Sequence, residues 1–443
     1  MAEHCGYVVK VENLRKHSNA DRLQIATFFD NDTIVSLETQ IGDIGVYFPS
    51  DLQLSQEYCE ENNLLRSKDP NVKGGYLDPD KRNIRVMKLR GEKSDGLYMP
   101  LSTLAKFTDI AELHVGDTIT VLNGHEICRK YIPRTNQPSV RQGDKHPKKR
   151  VAAQAPTFYE HADTEQLNFN LDKFKTGDIV ELTLKMHGTS QRTGYLPVTR
   201  EIPNGFFRRL FHKPPRTKTE YEYIDGTRRV VLFGDNKGGF YDDDGWRHDM
   251  GKRFVGKLKH GETVYYEVVG FQGLHGRPIM ASCDNSKIKD KEFSKMYGPQ
   301  TVFSYGCDPD GVYDDEHPCC DIYVYRMTMV NEDGDIAEYP PWEMRRRCEQ
   351  IGVKTVIPFE RFIIPWDVDP GEYVKEKAEQ YFDGPDPVGK SHVREGVVAR
   401  IVNRPTFTAY KTKNWSFKVL ENIVKDEAAA PDLEEAQEAE ANE

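Results

Sequence analysis

The chain has 443 residues, is 37 % hydrophobic, 30 % charged and 11 % aromatic, and carries a formal charge of −10. That length holds about two or three domains with separate cores, and the absence of any run of ~18 apolar residues excludes a membrane-spanning helix. The charge argues at first against a nucleic-acid partner, but eight acidic residues and no Lys or Arg fall in 426–443, "DEAAAPDLEEAQEAEANE", so the preceding body carries only −2.

Residues 425–443 therefore read as a disordered acidic tail, alanine-rich and without apolar periodicity. The start, "MAEHCGYVVKVENLRK", has no apolar segment after a basic one, so an intracellular, cytoplasmic protein is expected. The eight cysteines are scattered with no C-x-x-C pair and read as reduced thiols. His317 near Cys307, Cys319 and Cys320 matches no standard zinc spacing.

Taken in chain order, residues 1–128 read as β-rich. "YVVKV", "LQIATFF", "DTIVSLE", "IGVYFP" and "RNIRVMKLRG" are short β-branched and aromatic runs separated by turn residues. Five such strands suit a small closed barrel, and "NIRVMKLRGEKSDGLYMPL" resembles OB-fold segments that precede some nucleic-acid enzymes. A helical interlude, "LSTLAKFTDIAEL", leads into the strand "VGDTITVL".

Residues 129–156 read as a basic linker in which Lys145, Lys148, Lys149 and Arg150 form a compact positive cluster, suited equally to a solvated hinge or to a phosphate backbone. From 157 to 424, strand-like pieces ("DIVELTL", "RRVVLFG", "TVYYEVVG", "DIYVYRMTMV", "EGVVARIV") alternate with helix-compatible ones ("YPPWEMRRRCEQIG", "PGEYVKEKAEQYF"). That mixture predicts an α+β domain with antiparallel sheets.

Chemistry concentrates in "VELTLKMHGTSQRTGYL", where Lys185 ends an apolar run beside Gly188. A lysine in water, with a pKa of about 10.4, is a poor nucleophile unless cations, desolvation or a metal ion lower it. Glu267 in "VYYEVVG" and Glu395 in "REGVVAR" sit among apolar neighbours, where a carboxylate needs a cation, a hydroxyl or a metal. In "AYKTKNWSFKVLE", Lys411 and Lys413 are two apart and share a strand face, a repulsive arrangement unless a polyanion lies between them. Tyr323 and Tyr325 share a face by the same spacing. Each fragment alone is an ordinary surface or core feature.

The ordered set of Lys185 with Gly188, Glu267, the strand "IYVYR", Glu395, and Lys411 with Lys413 resembles the covalent nucleotidyltransferase superfamily of polynucleotide ligases and capping enzymes. "KMHGTS", with the preceding "FYEHADTEQLNFNLDKFKTGDIVELTL", is similar to the ATP-dependent RNA ligases, and the order of regions to the nick-sealing type with an N-terminal OB domain. The resemblance implies an OB-fold-like β-barrel followed by an adenylyltransferase domain with ATP-grasp-like antiparallel sheets.

It also implies roles. Lys185 would become a lysyl adenylate, Lys411 and Lys413 would contact the α-phosphate of ATP, Glu267 the ribose hydroxyls, and Tyr325 the adenine. Glu395 would help position Mg²⁺ or Mn²⁺. The family's nucleotide-contacting arginine has candidates in Arg229, Arg228 and Arg192, Arg229 fitting slightly better. Two positions depart from the pattern: Leu184 stands where many relatives have Glu, and Arg326 where the family often has an acidic residue.

Arg208 and Arg209 in the basic, phenylalanine-rich "NGFFRRLFHKPPRTK" join Lys148 and Lys149 as candidate nucleic-acid contacts, a loop whose phenylalanines tuck into the core being the equal alternative. The implied partner is RNA, as a nicked duplex or an RNA/DNA hybrid, with no membrane and a monomer expected. A DNA ligase, a GTP-using capping enzyme and a non-catalytic nucleic-acid-binding protein are the alternatives.

Overall fold

The structure is a computed structural model, and it describes residues 4–67, 74–132, 153–202, 216–232, 245–288, 290–311 and 317–426. Lys145, Lys148, Lys149, Arg150, Arg208, Arg209 and the acidic tail beyond 426 lie outside the described residues. Among the described residues, no helix is long and apolar enough to cross a membrane.

The chain divides into two units. The first comprises 1–134, 168–170 and 415–426. Its main sheet runs Thr118–Ile119, Gly6–Lys10, Ile44–Phe48, Leu97–Pro100, all antiparallel. The run "YVVKV" is apolar on both faces because both are covered: Val8 packs with Val46 and Phe48, while Tyr7 and Val9 pack with Tyr47 and Phe28.

A separate three-stranded sheet joins Arg15–Lys16, Leu23–Phe28 and Asn31–Ser36. Among the described residues no ladder closes into a barrel, since strands as short as two residues interrupt the hydrogen-bonded rows. Of "RNIRVMKLRG", only Met87–Leu89 forms a strand, paired in a hairpin with Glu92–Ser94, and the expected helical interlude is two short 3₁₀ turns, Leu101–Leu104 and Ile110–Glu112.

The helix Trp415–Asp426 groups with this first unit and not with the strand that it follows. Its Phe417 and Leu420 are fully buried, and Lys418 Nζ lies 2.6 Å from an Asp95 carboxylate oxygen.

The second unit is built on two sheets. One has five strands in the order Glu165–Gln166, Thr408–Lys413, Gly396–Ile401, Ile179–Lys185, Pro358–Ile363. Its apolar face, with Val180, Leu182, Val397, Ala399 and Tyr410, is covered by the helix Pro370–Glu379 through Val374 and Ala378. The other has eight strands, centred on Thr189–Ile202, Glu262–Gly270 and Cys320–Val330. Its apolar face (Val264, Tyr266, Val268, Ile322, Val324) packs on helices Gly245–Lys252 and Pro341–Ile351.

Alternation along the strands leaves each sheet one polar face, and these two faces meet. Arg400 of the first sheet donates to the Tyr339 carbonyl at 3.1 Å and lies 3.6 Å from Glu338 on the second. Arg345, on the helix Pro341–Ile351 and not on a strand, makes a paired contact with Glu181 of the first sheet at 2.7 and 2.8 Å.

Candidate active site

Lys185 is the last residue of its strand and sits opposite Gly396, which sits opposite Lys413 on the next strand. Opposed residues point to one face, so Lys185 and Lys413 flank a position that has no side chain. Only glycine fits there, because a Cβ on Gly396 would come within 1.9 Å of the Thr412 carbonyl oxygen. Lys411, two residues back and opposite Val398, shares the face.

Glu395, just before Gly396, closes the cluster. Its Oε1 is 2.9 Å from Lys185 Nζ and 3.6 Å from Lys413 Nζ. Its side chain is 2 % exposed, against 22 % for Lys185 and 15 % for Lys413, so the acid is sealed while the amines reach outward. Glu395 Oε2 is buried and has no hydrogen-bond partner among the described residues, an expensive state for a carboxylate oxygen.

The chain crosses from one sheet to the other in three residues, Met186, His187 and Gly188, before the strand at Thr189. A Cβ on Gly188 would stand 2.3 Å from the Val268 carbonyl oxygen and 2.9 Å from Glu267 Cγ. The glycine is required for space there, not for a left-handed turn. Glu267 lies opposite Ser190 on one side and Tyr323 on the other, and its Oε2 accepts a hydrogen bond from the Ser190 hydroxyl at 3.2 Å.

The stacking candidate Tyr325 is the extra residue of a β-bulge: Tyr266 pairs with Val324 and Tyr265 with Arg326, leaving Tyr325 without an opposite number. His161 Nδ1 bonds the Tyr325 hydroxyl, and the His161 ring meets that of Tyr265 edge-on at 5.0 Å. The bulge also turns Arg326, which strict alternation would send to the other face, over the Tyr265 ring at 4.5 Å. Arg326 is held there by Glu338, 2.9 and 3.1 Å from its Nε, which neutralises the cation.

Of the three candidate arginines, Arg192 is fully buried, stacked 4.6 Å over Phe158, and bonded to the Arg228 carbonyl. Burial lowers its pKa. Arg228 binds Asp163 at 2.5 Å, and Arg229 lies 3.9 Å from the same carboxylate. Burial pushes Asp163 upward, but Arg228, Arg229 and Lys411 outweigh it and hold the carboxyl below its ordinary range. Arg228 and Arg229 thus belong to the neighbourhood of the lysine pair. Reading the sequence did not single out His161, Asp163 or Tyr305; the first two stand in the quoted "FYEHADTEQL", while Tyr305 lies in a turn with no periodic signal.

All eight cysteines are buried and free, and among the described residues no cluster of three or more His, Cys, Asp or Glu side chains could hold a metal by itself.

No family model matches the chain, and no curated protein does. Solved structures do. The Naegleria gruberi RNA ligase with PPi superposes with a TM-score of 0.54 at 14 % identity, covering 97 % of this chain and 100 % of that one. A lysine-to-alanine mutant of the Naegleria gruberi enzyme with ATP and Mn gives 0.54 at 14 % identity over 93 % of this chain and 98 % of that one. A glutamate-to-alanine mutant with ATP and Mn gives 0.55 at 16 % over the same shares. The chain therefore has the fold of an RNA ligase across nearly its whole length.

Proposed function

We propose that the chain is an ATP-dependent RNA ligase that seals 3′-hydroxyl/5′-phosphate breaks, nicks in duplexes foremost, through a lysyl adenylate on Lys185. One arrangement carries this reading: Lys185 and Lys413 share a single oxygen of Glu395, whose other oxygen is buried without a hydrogen-bond partner among the described residues. A solved neighbour named with ATP and Mn and another named with PPi support the same chemistry.

In the first step Lys185 Nζ, deprotonated, attacks the α-phosphorus of ATP. The N–P bond forms as the bond to the bridging oxygen breaks, and pyrophosphate leaves. AMP then passes to the RNA 5′-phosphate and frees Lys185, and a 3′-hydroxyl attacks the adenylylated end and expels AMP. Covalent transfer divides one difficult displacement into easier ones.

Lys411 and Lys413 offset charge on the α-phosphate, Glu267 takes the ribose hydroxyls, Tyr325 stacks on adenine, and Arg229 meets a phosphate. The unpartnered Glu395 Oε2 fits a hard divalent cation, so Glu395 would hold Mg²⁺ or Mn²⁺. When bound, that ion would screen the phosphate charges. The N-terminal unit, OB-like in this reading, and the basic residues Lys148, Lys149, Arg208 and Arg209 would grip RNA in a salt-dependent way.

The test is incubation with α-³²P-labelled ATP and Mg²⁺, then denaturing electrophoresis, for the wild type and Lys185→Ala. Label is expected on the wild type, not with GTP, and reduced by about 10⁴-fold or more in the variant, as for loss of a covalent nucleophile. Protein freed of preformed adenylate that takes no label would end the ligase reading in favour of a non-catalytic RNA-binding protein.

A further inference from the structure

The tripeptide that carries the chain away from Lys185 has a support outside the two sheets. His187, half-buried, donates its backbone N–H to the Tyr305 hydroxyl at 2.7 Å. Tyr305 itself is 3 % exposed and has φ +51°, a left-handed conformation that non-glycine residues rarely adopt and that persists only where the surroundings over-determine it.

Those surroundings are specific. The His392 ring meets Tyr305 edge-on at 4.6 Å, and Phe303 meets His187 at 4.7 Å and His392 at 5.1 Å. Gly389 lies so close to the next residue that a Cβ on it would be 2.4 Å from the Gly306 nitrogen. The cage is closed to solvent, with Asp386 and His392 both fully buried, and burial pushes His392 down to about 4 and Asp386 up to about 7. Burial, then Asp386 and Glu395, raise the Tyr305 phenol well above its ordinary value, so its oxygen stays protonated and meets the amide as a neutral acceptor.

We infer that Tyr305 is a positioning residue for the nucleophile: its hydroxyl fixes the His187 amide and so sets the exit angle of the backbone two residues after Lys185. The inference rests on the reading of Lys185 as nucleophile. A buried hydroxyl in a strained backbone is not needed to fill space, since phenylalanine would fill it equally. What the oxygen adds is an acceptor for an amide that has left one sheet and not yet joined the other.

The experiment compares wild type with Tyr305→Phe in two assays on the full chain. The first is self-adenylylation over a range of ATP concentrations. The second is joining of a pre-adenylylated 5′-end at a nick, a reaction that does not use Lys185 as nucleophile. The expected result is a fall of about tenfold in the rate constant of adenylylation, the typical effect of one lost hydrogen bond felt in the transition state. ATP half-saturation and the joining of pre-adenylylated ends should stay within about twofold.

An unchanged adenylylation rate, or an equal fall in both assays, overturns the inference; the second outcome would mark a merely structural tyrosine. Wild type that never takes label would instead overturn the ligase reading beneath it. Should the variant not fold, hydrogen exchange in the wild type decides: the His187 amide is expected to be protected, and exchange at the rate of an open amide refutes the contact.

Discussion

Two buried glutamates in the ligase-fold unit solve the same electrostatic problem in opposite ways. Glu262 is saturated: Oε1 accepts from Arg347 Nε at 2.9 Å and from the Tyr339 hydroxyl at 3.0 Å, and Oε2 from Arg347 Nη2 at 2.9 Å and the Lys259 amide at 2.7 Å. Glu395, as deeply buried, offers one oxygen to two lysines and leaves the other unmatched. Full satisfaction fits a structural ion pair, whereas incomplete satisfaction fits the cation-holding role proposed for Glu395.

Replacing each glutamate by its neutral isostere turns that contrast into measurements. Glu262→Gln should cost about 3–5 kcal/mol of unfolding free energy, because the buried Arg347 loses its counter-charge. Denaturant titration would show this, while the folded fraction keeps its adenylylation rate. Glu395→Gln should do the reverse: adenylylation falls by about 10²–10³-fold with little change in the unfolding midpoint, because Lys185 and Lys413 can turn to water. If both variants lost stability alike, the distinction between a structural and a cation-holding carboxylate would be gone.

The smallest effect belongs to a pair that is geometrically good but wet. Arg200 and Glu222 meet at 2.8 and 2.6 Å on the long hairpin, with side chains 50 % and 30 % exposed. Solvent screening limits such a pair, so Arg200→Ala should shift stability by less than about 1 kcal/mol and the shift should shrink in high salt. A larger loss would mean that short contacts alone, without burial, set the energetics here.

Much of the site was legible because strand periodicity is local. Lys411 and Lys413 two apart, and Lys185 at the end of an apolar run, announce their shared face before any partner strand is known. The helices Pro341–Ile351 and Pro370–Glu379 also fall within the two stretches read as helix-compatible, each with a proline at its start. Tyr325 shows where that logic stops: a one-residue bulge depends on the partner strand, and it brought Arg326 to a face that alternation denied it. The destination of Trp415–Asp426 was hidden for a related reason. An amphipathic helix declares that it will be covered and not by what, and here Phe417, Leu420 and Lys418 belong to the first unit.

By itself the sequence determined the order of the candidate residues and the strands that carry most of them, since residue type and period are properties of a short stretch of chain. Tertiary structure alone decided that Gly188 and Gly396 are needed for room, that Glu338 neutralises Arg326, and that Tyr305 supports the amide of His187. Each of those depends on atoms at least 12 residues away in the chain, and close approach between distant segments is a property of packing that no local pattern encodes.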